Sequence, residues 1–309
     1  MQVLLTDGLT ACCAPRAACV ALGFFDGVHR GHLYVLSEAA ARARALGLPL
    51  LVYTFRAADA PKADAPLLST DRERAALFAS CGATFCVFDD FSAARTTFAE
   101  DFVRDVLLGA LGARVAVVGE DFRFGYRAAG DAALLARLMA EGGGEALTLP
   151  PVLHDGRPIS SSRIREALCE GDVALASALL GRPYALTLPV AHGQELGRTM
   201  GFPTANQALP AGRAIPKDGV YVTDCITQSG ARLRGVTDIG MRPTVAGRER
   251  RMETHLIDFS GDLYGAPLTV CFLARLRGEQ TFPSLAALTA QITKDRMEAK
   301  QWKTQNGSN

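Results

Sequence analysis

Gly23-Phe24-Phe25-Asp26-Gly27-Val28-His29-Arg30-Gly31-His32 is the stretch whose surroundings decide the fold of the first half of this chain. Its start overlaps the apolar run Cys19-Val20-Ala21-Leu22-Gly23-Phe24, a short buried strand by its length and lack of polar residues. From Gly31 onward the pattern becomes helical, with Leu33, Leu36 and Ala40 on one face, until Gly47 and Pro49 stop it. The loop thus joins a strand to a helix N-terminus. Two histidines three positions apart lie close there, and the helix end adds unpaired N–H donors and partial positive charge, which suit an anion. The small Gly31 lets a phosphate approach the backbone, and imidazoles at this place can donate to a phosphoryl group as its charge grows. The bland alternative is a polar loop with two surface histidines.

The same alternation continues outward. Residues 50–55, 83–88 and 114–119 read as strands, and 98–111 and 131–141 as helices. Continuous apolar strands between helices indicate a parallel sheet covered on both faces. Ligands in such sheets bind beyond the carboxyl ends of the strands. A helical section over 162–180, with Gly171-Asp172 as its break, ends at Gly181-Arg182-Pro183, and the domain boundary is placed there: 1–181 and 182–309. The stretch 56–66 reads as a flexible loop.

Beyond the boundary the character changes. Residues 184–191, 219–227, 232–239, 252–259 and 268–276 are short β-type runs separated by turn residues, which suggests a barrel or sandwich. A closing amphipathic helix runs over 285–303, with Leu285, Leu288 and Ile292 as its apolar stripe.

Composition bounds the function classes. The 309 residues carry 33 Lys and Arg against 32 Asp and Glu, so a net charge of +1 gives no support for a nucleic-acid or membrane field. No apolar run reaches the length of a membrane span and the N-terminus lacks a signal-peptide pattern, so the cytosol is the expected compartment. The eight cysteines have no C-x-x-C or zinc spacing and read as reduced, mostly buried thiols.

Two further stretches bear on chemistry. Ile159-Ser160-Ser161-Ser162-Arg163-Ile164-Arg165 opens a helix; its serines are ordinary caps, or with Arg165 a phosphate clamp. Val117-Val118-Gly119-Glu120-Asp121-Phe122-Arg123-Phe124-Gly125 is a strand end with two phenylalanines, either a plain turn or the edge of an adenine or flavin pocket. H-x-G-H first and S-S-x-x-x-R last is the order found in the nucleotidyltransferase superfamily, whose members grip the ATP triphosphate with both.

In these motifs the chain resembles the prokaryotic bifunctional riboflavin kinase/FMN adenylyltransferases, over nearly its whole length. The resemblance implies an α/β nucleotidyltransferase domain with a Rossmann-like parallel sheet, followed by a β-barrel riboflavin kinase domain with a C-terminal helix. It implies phosphorylation of riboflavin to FMN with ATP, then adenylylation of FMN to FAD with release of pyrophosphate. It assigns ATP and phosphate binding to Gly23, Phe25, Asp26, His29, Gly31, His32, Ser161, Ser162 and Arg165, with Asp121 as a nucleotide-site residue. His29 and His32 are the residues expected to act on the transferring phosphoryl group.

In the second half, Gly193, Gly197, Gly201 and Pro203 belong to a glycine-rich stretch that lacks P-loop spacing. The resemblance makes it the kinase phosphate loop, with Thr204 and Asn206 holding Mg²⁺, a cation that prefers hard oxygen ligands. On a strand, Glu253 shares a face with His255, Ile257 and Phe259. It is either a surface carboxylate paired with Arg248, Arg250 or Arg251, or, as the resemblance implies, the base that takes the proton from the attacking ribityl hydroxyl. Two departures stand out. The family's Thr-Phe-x-x-His-Pro is here Thr54-Phe55-Arg56-Ala57-Ala58-Asp59, and Asp238 stands where the family commonly has Asn. The alternatives are a kinase with weak or lost adenylyltransferase activity and a non-catalytic flavin-binding or regulatory protein.

Overall fold

The computed structural model describes residues 2–5, 15, 17–57, 65–192, 201–244 and 247–303. Most of the 56–66 loop lies outside them. The chain divides into two compact units, Met1–Ser161 and Ser162–Asn309.

The first unit is a parallel sheet. Its strands are β1 (Gln2–Leu5), β2 (Ala18–Leu22), β3 (Leu50–Phe55), β4 (Phe85–Asp89), β5 (Ala113–Gly119) and β6 (Glu145–Leu149), in the order β1-β4-β3-β2-β5-β6. Every pairing is parallel. β2 is buried at every position and β3 at all but its last, as strands covered on both faces must be. On one face, α1 (Arg30–Ala45) and α2 (Asp71–Ser80) supply Leu36, Ala39 and Phe78 to a core with Val52 and Cys86. On the other, α4 (Ala99–Asp101), the π-helical segment Phe102–Ala110 and α5 (Ala132–Glu141) supply Phe102, Leu107, Leu135 and Met139. A short α3 (Phe91–Ala94) follows β4. The chain runs from β2 outward to β3 and β4 on one side and to β5 and β6 on the other. The strand order therefore reverses beside β2 and β5, and their carboxyl ends flank the crevice where such sheets take ligands. A two-stranded ribbon, β7 (Leu153–His154) and β8 (Arg157–Pro158), precedes α6 (Ser161–Glu170).

The second unit begins with α6 and α7 (Val173–Leu180), separated at Gly171 and Asp172 as the sequence indicates; Asp172 caps α7, and Gly181 closes it in the left-handed conformation at φ 76. The compact division thus falls earlier than 181/182. The Lys217 N–H donates to the Leu168 carbonyl at 2.9 Å, and the Gly171 backbone lies against Arg275. These contacts group the two helices with the strands that follow.

Those strands are β9 (Tyr184–Pro189), β10 (Thr204–Ala208), β11 (Gly219–Ile226), β12 (Arg232–Thr244), β13 (Gly247–Leu256) and β14 (Pro267–Arg277), ordered β10-β13-β12-β11-β14-β9 and all antiparallel. A bridge between Ala191 and Asn206, with N–H to O at 2.7 Å, brings the two outer strands together and curls the sheet into a barrel. Both faces of β11 are buried. Tyr221 stacks edge-on against Phe272 at 5.4 Å, and Thr223 joins Thr237 and Thr254 in a chain of hydroxyls at 2.8 and 2.9 Å. Val222, on the opposite face, packs with Leu273 and Ala299 under α8 (Leu285–Gln301).

The α8 stripe is shifted from its expected place. Leu285 is 72% exposed, while Asp295 and Ala299 are buried. The buried aspartate has a reason. Arg277 of β14 donates to both its oxygens, the shortest contact being 2.8 Å, and Gln291 adds a bond of 2.7 Å. Removing one partner of a buried pair strands the other, so Asp295→Ala is expected to destabilise this unit by about 3–5 kcal/mol. Trp302, the single tryptophan, packs in the same cluster, so urea unfolding followed by its fluorescence reads the change.

The described cysteines are free thiols. Burial pushes Cys86 and Cys225 up to about 12 and Cys19 to about 11, whereas Cys169 is exposed. Among the described residues, no helix is long and apolar enough to cross a membrane.

Candidate functional site

The β2–α1 loop stands at the topological reversal. His29 is the N-cap of α1, and its Nδ1 accepts from the His32 N–H at 3.2 Å. A ring nitrogen that accepts carries no proton, so neutral His29 holds its proton on Nε2. The two imidazoles stack at 3.6 Å and 17°, and Phe25 meets His32 edge-on at 5.2 Å. A Cβ at Gly31 would sit 3.1 Å from the His29 ring; the glycine makes room for that ring.

The loop is strained. Phe25 at φ 54 and Val28 at φ 40 are left-handed non-glycine residues on either side of Gly27 at φ 77. Such conformations cost about 1–3 kcal/mol each and persist only where the surroundings fix them. Asp26 supplies part of that fixing. Its buried carboxylate accepts from the Leu68 N–H at 3.0 Å and from the Ser69 N–H at 3.1 Å, while the Ser69 hydroxyl receives the Gly27 N–H at 2.8 Å. Phe25 is 2% exposed and packs on Phe78. The side chains of Phe25 and Asp26, read from sequence as phosphate-site groups, are buried, and their contacts fix the loop's shape. Gly23 has a matching reason, since a Cβ there would meet the Phe25 ring at 3.0 Å.

The second motif reaches the first. The Ser161 hydroxyl, at the start of α6, donates to the Asp26 carbonyl at 2.9 Å. Ser162 is exposed and Arg165 half-buried in the following turn. Asp121 lies in the exposed turn just after β5, across the reversal point from the histidines. Phe122 and Phe124 stack at 5.6 Å, but Phe124 is buried against Phe102 and belongs to the core.

In the second unit, β10, β13 and β12 lie side by side. Asn206 pairs with Glu253 and Glu253 with Asp238, so these three side chains form a row on one face. In the next row Thr204 pairs with His255. The Asn206 amide nitrogen lies 3.3 Å from the Thr204 hydroxyl. Arg250 is bound to Asp218 at 2.6 Å and Arg251 to Glu249 at 2.9 Å, so these two arginines, expected as partners for Glu253, have other carboxylates. Ile257 packs with Val222 and Val236, which lie on the Glu253 face, whereas β13 itself ends at Leu256 and the chain turns at Asp258, whose φ is 56, before Phe259. Gly201, at φ 82, and Pro203 lead into β10; Gly193 and Gly197 lie outside the described residues.

Comparison with known proteins follows the same two-part layout. Residues 13–163 match the family model for FAD synthetase, and residues 180–303 the one for riboflavin kinase. A bifunctional riboflavin kinase/FMN adenylyltransferase of Escherichia coli (strain K12) is 40% identical over 301 residues, 94% of each chain. This chain belongs to that family. A bifunctional riboflavin kinase/FMN adenylyltransferase of Bacillus subtilis (strain 168) is 33% identical over 289 residues, covering 91% of this chain and 90% of its own. The crystal structure of a macrolide-efflux protein from Streptococcus pneumoniae superposes with a TM-score of 0.89 at 32% identity, covering 97% and 99% of the two chains.

Two residues to which the sequence assigns no role of their own stand out in this bifunctional architecture. His255 holds the Pro203 carbonyl through Nδ1 at 2.9 Å, and Phe202 meets its ring edge-on at 5.5 Å. Burial lowers its pKa, and because a carbonyl only accepts, the neutral ring keeps its proton on Nδ1. Arg74 of α2 is fully buried below the β2–α1 loop. The sequence did hold a signal for α2. Thr70 and Glu73 form a capping box, with bonds of 3.2 and 2.7 Å.

Proposed function

We propose that the chain phosphorylates riboflavin to FMN in its second half and adenylylates FMN to FAD in its first, with ATP as co-substrate of both steps. The observation that carries the proposal is the presence of two ordered motif sets, each on its own fold. The imidazole pair lies at the crevice of a parallel sheet, and Glu253 lies beside Asn206 on a curled antiparallel one. The functional division is taken at 181/182, in keeping with a kinase match that begins at residue 180.

In adenylyl transfer, a phosphate oxygen of FMN attacks the α-phosphorus of ATP and pyrophosphate leaves. His29 and His32 donate hydrogen bonds to the phosphoryl oxygens, while Ser161, Ser162, Arg165 and the start of α1 hold the triphosphate. Asp121 faces the nucleoside. No covalent intermediate is needed, so the protein's part is position and charge. In the kinase step, the ribityl hydroxyl attacks the γ-phosphorus and ADP leaves, with the proton passing to the Glu253 carboxylate.

Thr204 and Asn206 suit a partial shell for Mg²⁺. Both carry hard oxygens on adjacent same-face positions, and no cluster of three His, Cys, Asp or Glu among the described residues offers a full cage. A cation held there would complete its shell with substrate phosphates and water and would neutralise phosphate charge.

Incubation with riboflavin, ATP and Mg²⁺, followed by chromatographic separation of riboflavin, FMN and FAD, tests the proposal. FAD supports both activities, FMN alone leaves a kinase, and neither product leaves a binding protein.

A further inference from the structure

Arg74 is a buried cation that the two transfer steps leave without a task. Its Nη1 donates to the Phe24 carbonyl at 2.5 Å and to the Thr54 hydroxyl at 3.0 Å, and its Nη2 donates to the Phe55 carbonyl at 2.7 Å. Asp71, one turn earlier on α2, is its ion-pair partner and also accepts the Ala57 N–H at 2.9 Å. The guanidinium lies between the Phe24 and Phe88 rings, 4.9 and 5.1 Å from their centroids. Thr54 adds its own bond to the Phe24 carbonyl at 3.0 Å.

These contacts meet at one place. Phe24 immediately precedes the left-handed residue Phe25 and so sets the entry of the histidine loop. Phe55 and Ala57 form the stem of the loop that lacks the family's His-Pro. A planar guanidinium can satisfy three acceptors and a carboxylate at once, which an ammonium cannot.

We propose that Arg74 is a positioning residue for adenylyl transfer, fixing the histidine loop against the stem of the 56–59 loop. The proposal rests on the reading that this unit adenylylates FMN. In-line attack depends on holding two substrates in register, and small displacements far from the reacting atoms are felt in turnover. The loss should therefore fall on kcat and leave the KM of ATP and FMN nearly unchanged.

The test measures FAD formation from FMN and ATP, each varied in turn, for wild type, Arg74→Met, Arg74→Lys and Thr54→Val, at a temperature well below each melting point. Riboflavin phosphorylation by the same preparations serves as the internal control. Arg74→Met is expected to lower kcat for FAD formation by about ten- to a hundred-fold, with phosphorylation unchanged. Arg74→Lys should recover part of the loss, and Thr54→Val should show a smaller fall in the same constant. If Arg74→Met does not fold, the other two decide. Unchanged kcat per folded molecule in the variants that fold, beside an active wild type, overturns the positioning role alone. A wild-type chain that makes no FAD overturns the adenylyltransferase reading and this inference with it.

Discussion

Glu253→Gln is expected to stop riboflavin phosphorylation while FAD is still made from supplied FMN. The substitution keeps the shape of the side chain and its place between Asn206 and Asp238, but an amide cannot take the proton from the attacking hydroxyl. Loss of a positioned base lowers kcat by about 10²–10⁴-fold. The KM for ATP should move little, because the residues proposed to hold its phosphates lie on the neighbouring strand and the loop before it. Single-turnover quench experiments with riboflavin and ATP give the chemical step directly. A variant phosphorylating at the wild-type rate would return Glu253 to the status of an ordinary strand carboxylate. Adenylyl transfer in the same tube shows that the first unit is folded, and Trp302 fluorescence shows the same of the second.

Much of this architecture can be read from local pattern. Strand–loop–helix punctuation around Gly23 and the break at Gly171-Asp172 both appear at their sequence positions, because each depends on residues within a few places of one another. α2 was missed although its capping box is local. Its buried face is only Arg74, Ala75 and Phe78, too sparse and too polar to show a helical period. β6 was missed for a similar reason: it is an edge strand whose first residue is exposed and whose next two are half-buried. The α8 stripe was misplaced because an ion pair from β14 draws Asp295, not Leu285, inward.

At the sites, residue type was legible and side-chain direction was not. The ordering of His29, His32 and Ser161 is a matter of sequence. That Asp26 spends its carboxylate on Leu68 and Ser69, some forty residues away, is a matter of tertiary contact. A buried Asp bound to backbone amides and a phosphate-site Asp have the same letter. The missing His-Pro is a similar case. The sequence shows a gap at residues 56–59, and only the structure shows Arg74 and Asp71 gripping the stem of that loop from α2.

The imidazole pair allows a comparison that separates folding from chemistry. His32→Ala removes a ring that stacks on His29 but leaves the backbone N–H that His29 accepts, so the cap of α1 survives. FAD formation should fall by about 10²–10³-fold, the usual result of deleting one donor to a developing phosphoryl charge, while FMN formation from riboflavin continues. His29→Ala loses the cap as well and should lower stability by about 1 kcal/mol. His29→Asn restores a good cap and still lacks the imidazole Nε2–H. If catalysis by this pair comes from donated hydrogen bonds, His29→Asn will melt near the wild-type temperature and remain as slow as His32→Ala. Recovery of FAD formation in His29→Asn would mean that the first histidine serves the helix and only the second serves the nucleotide.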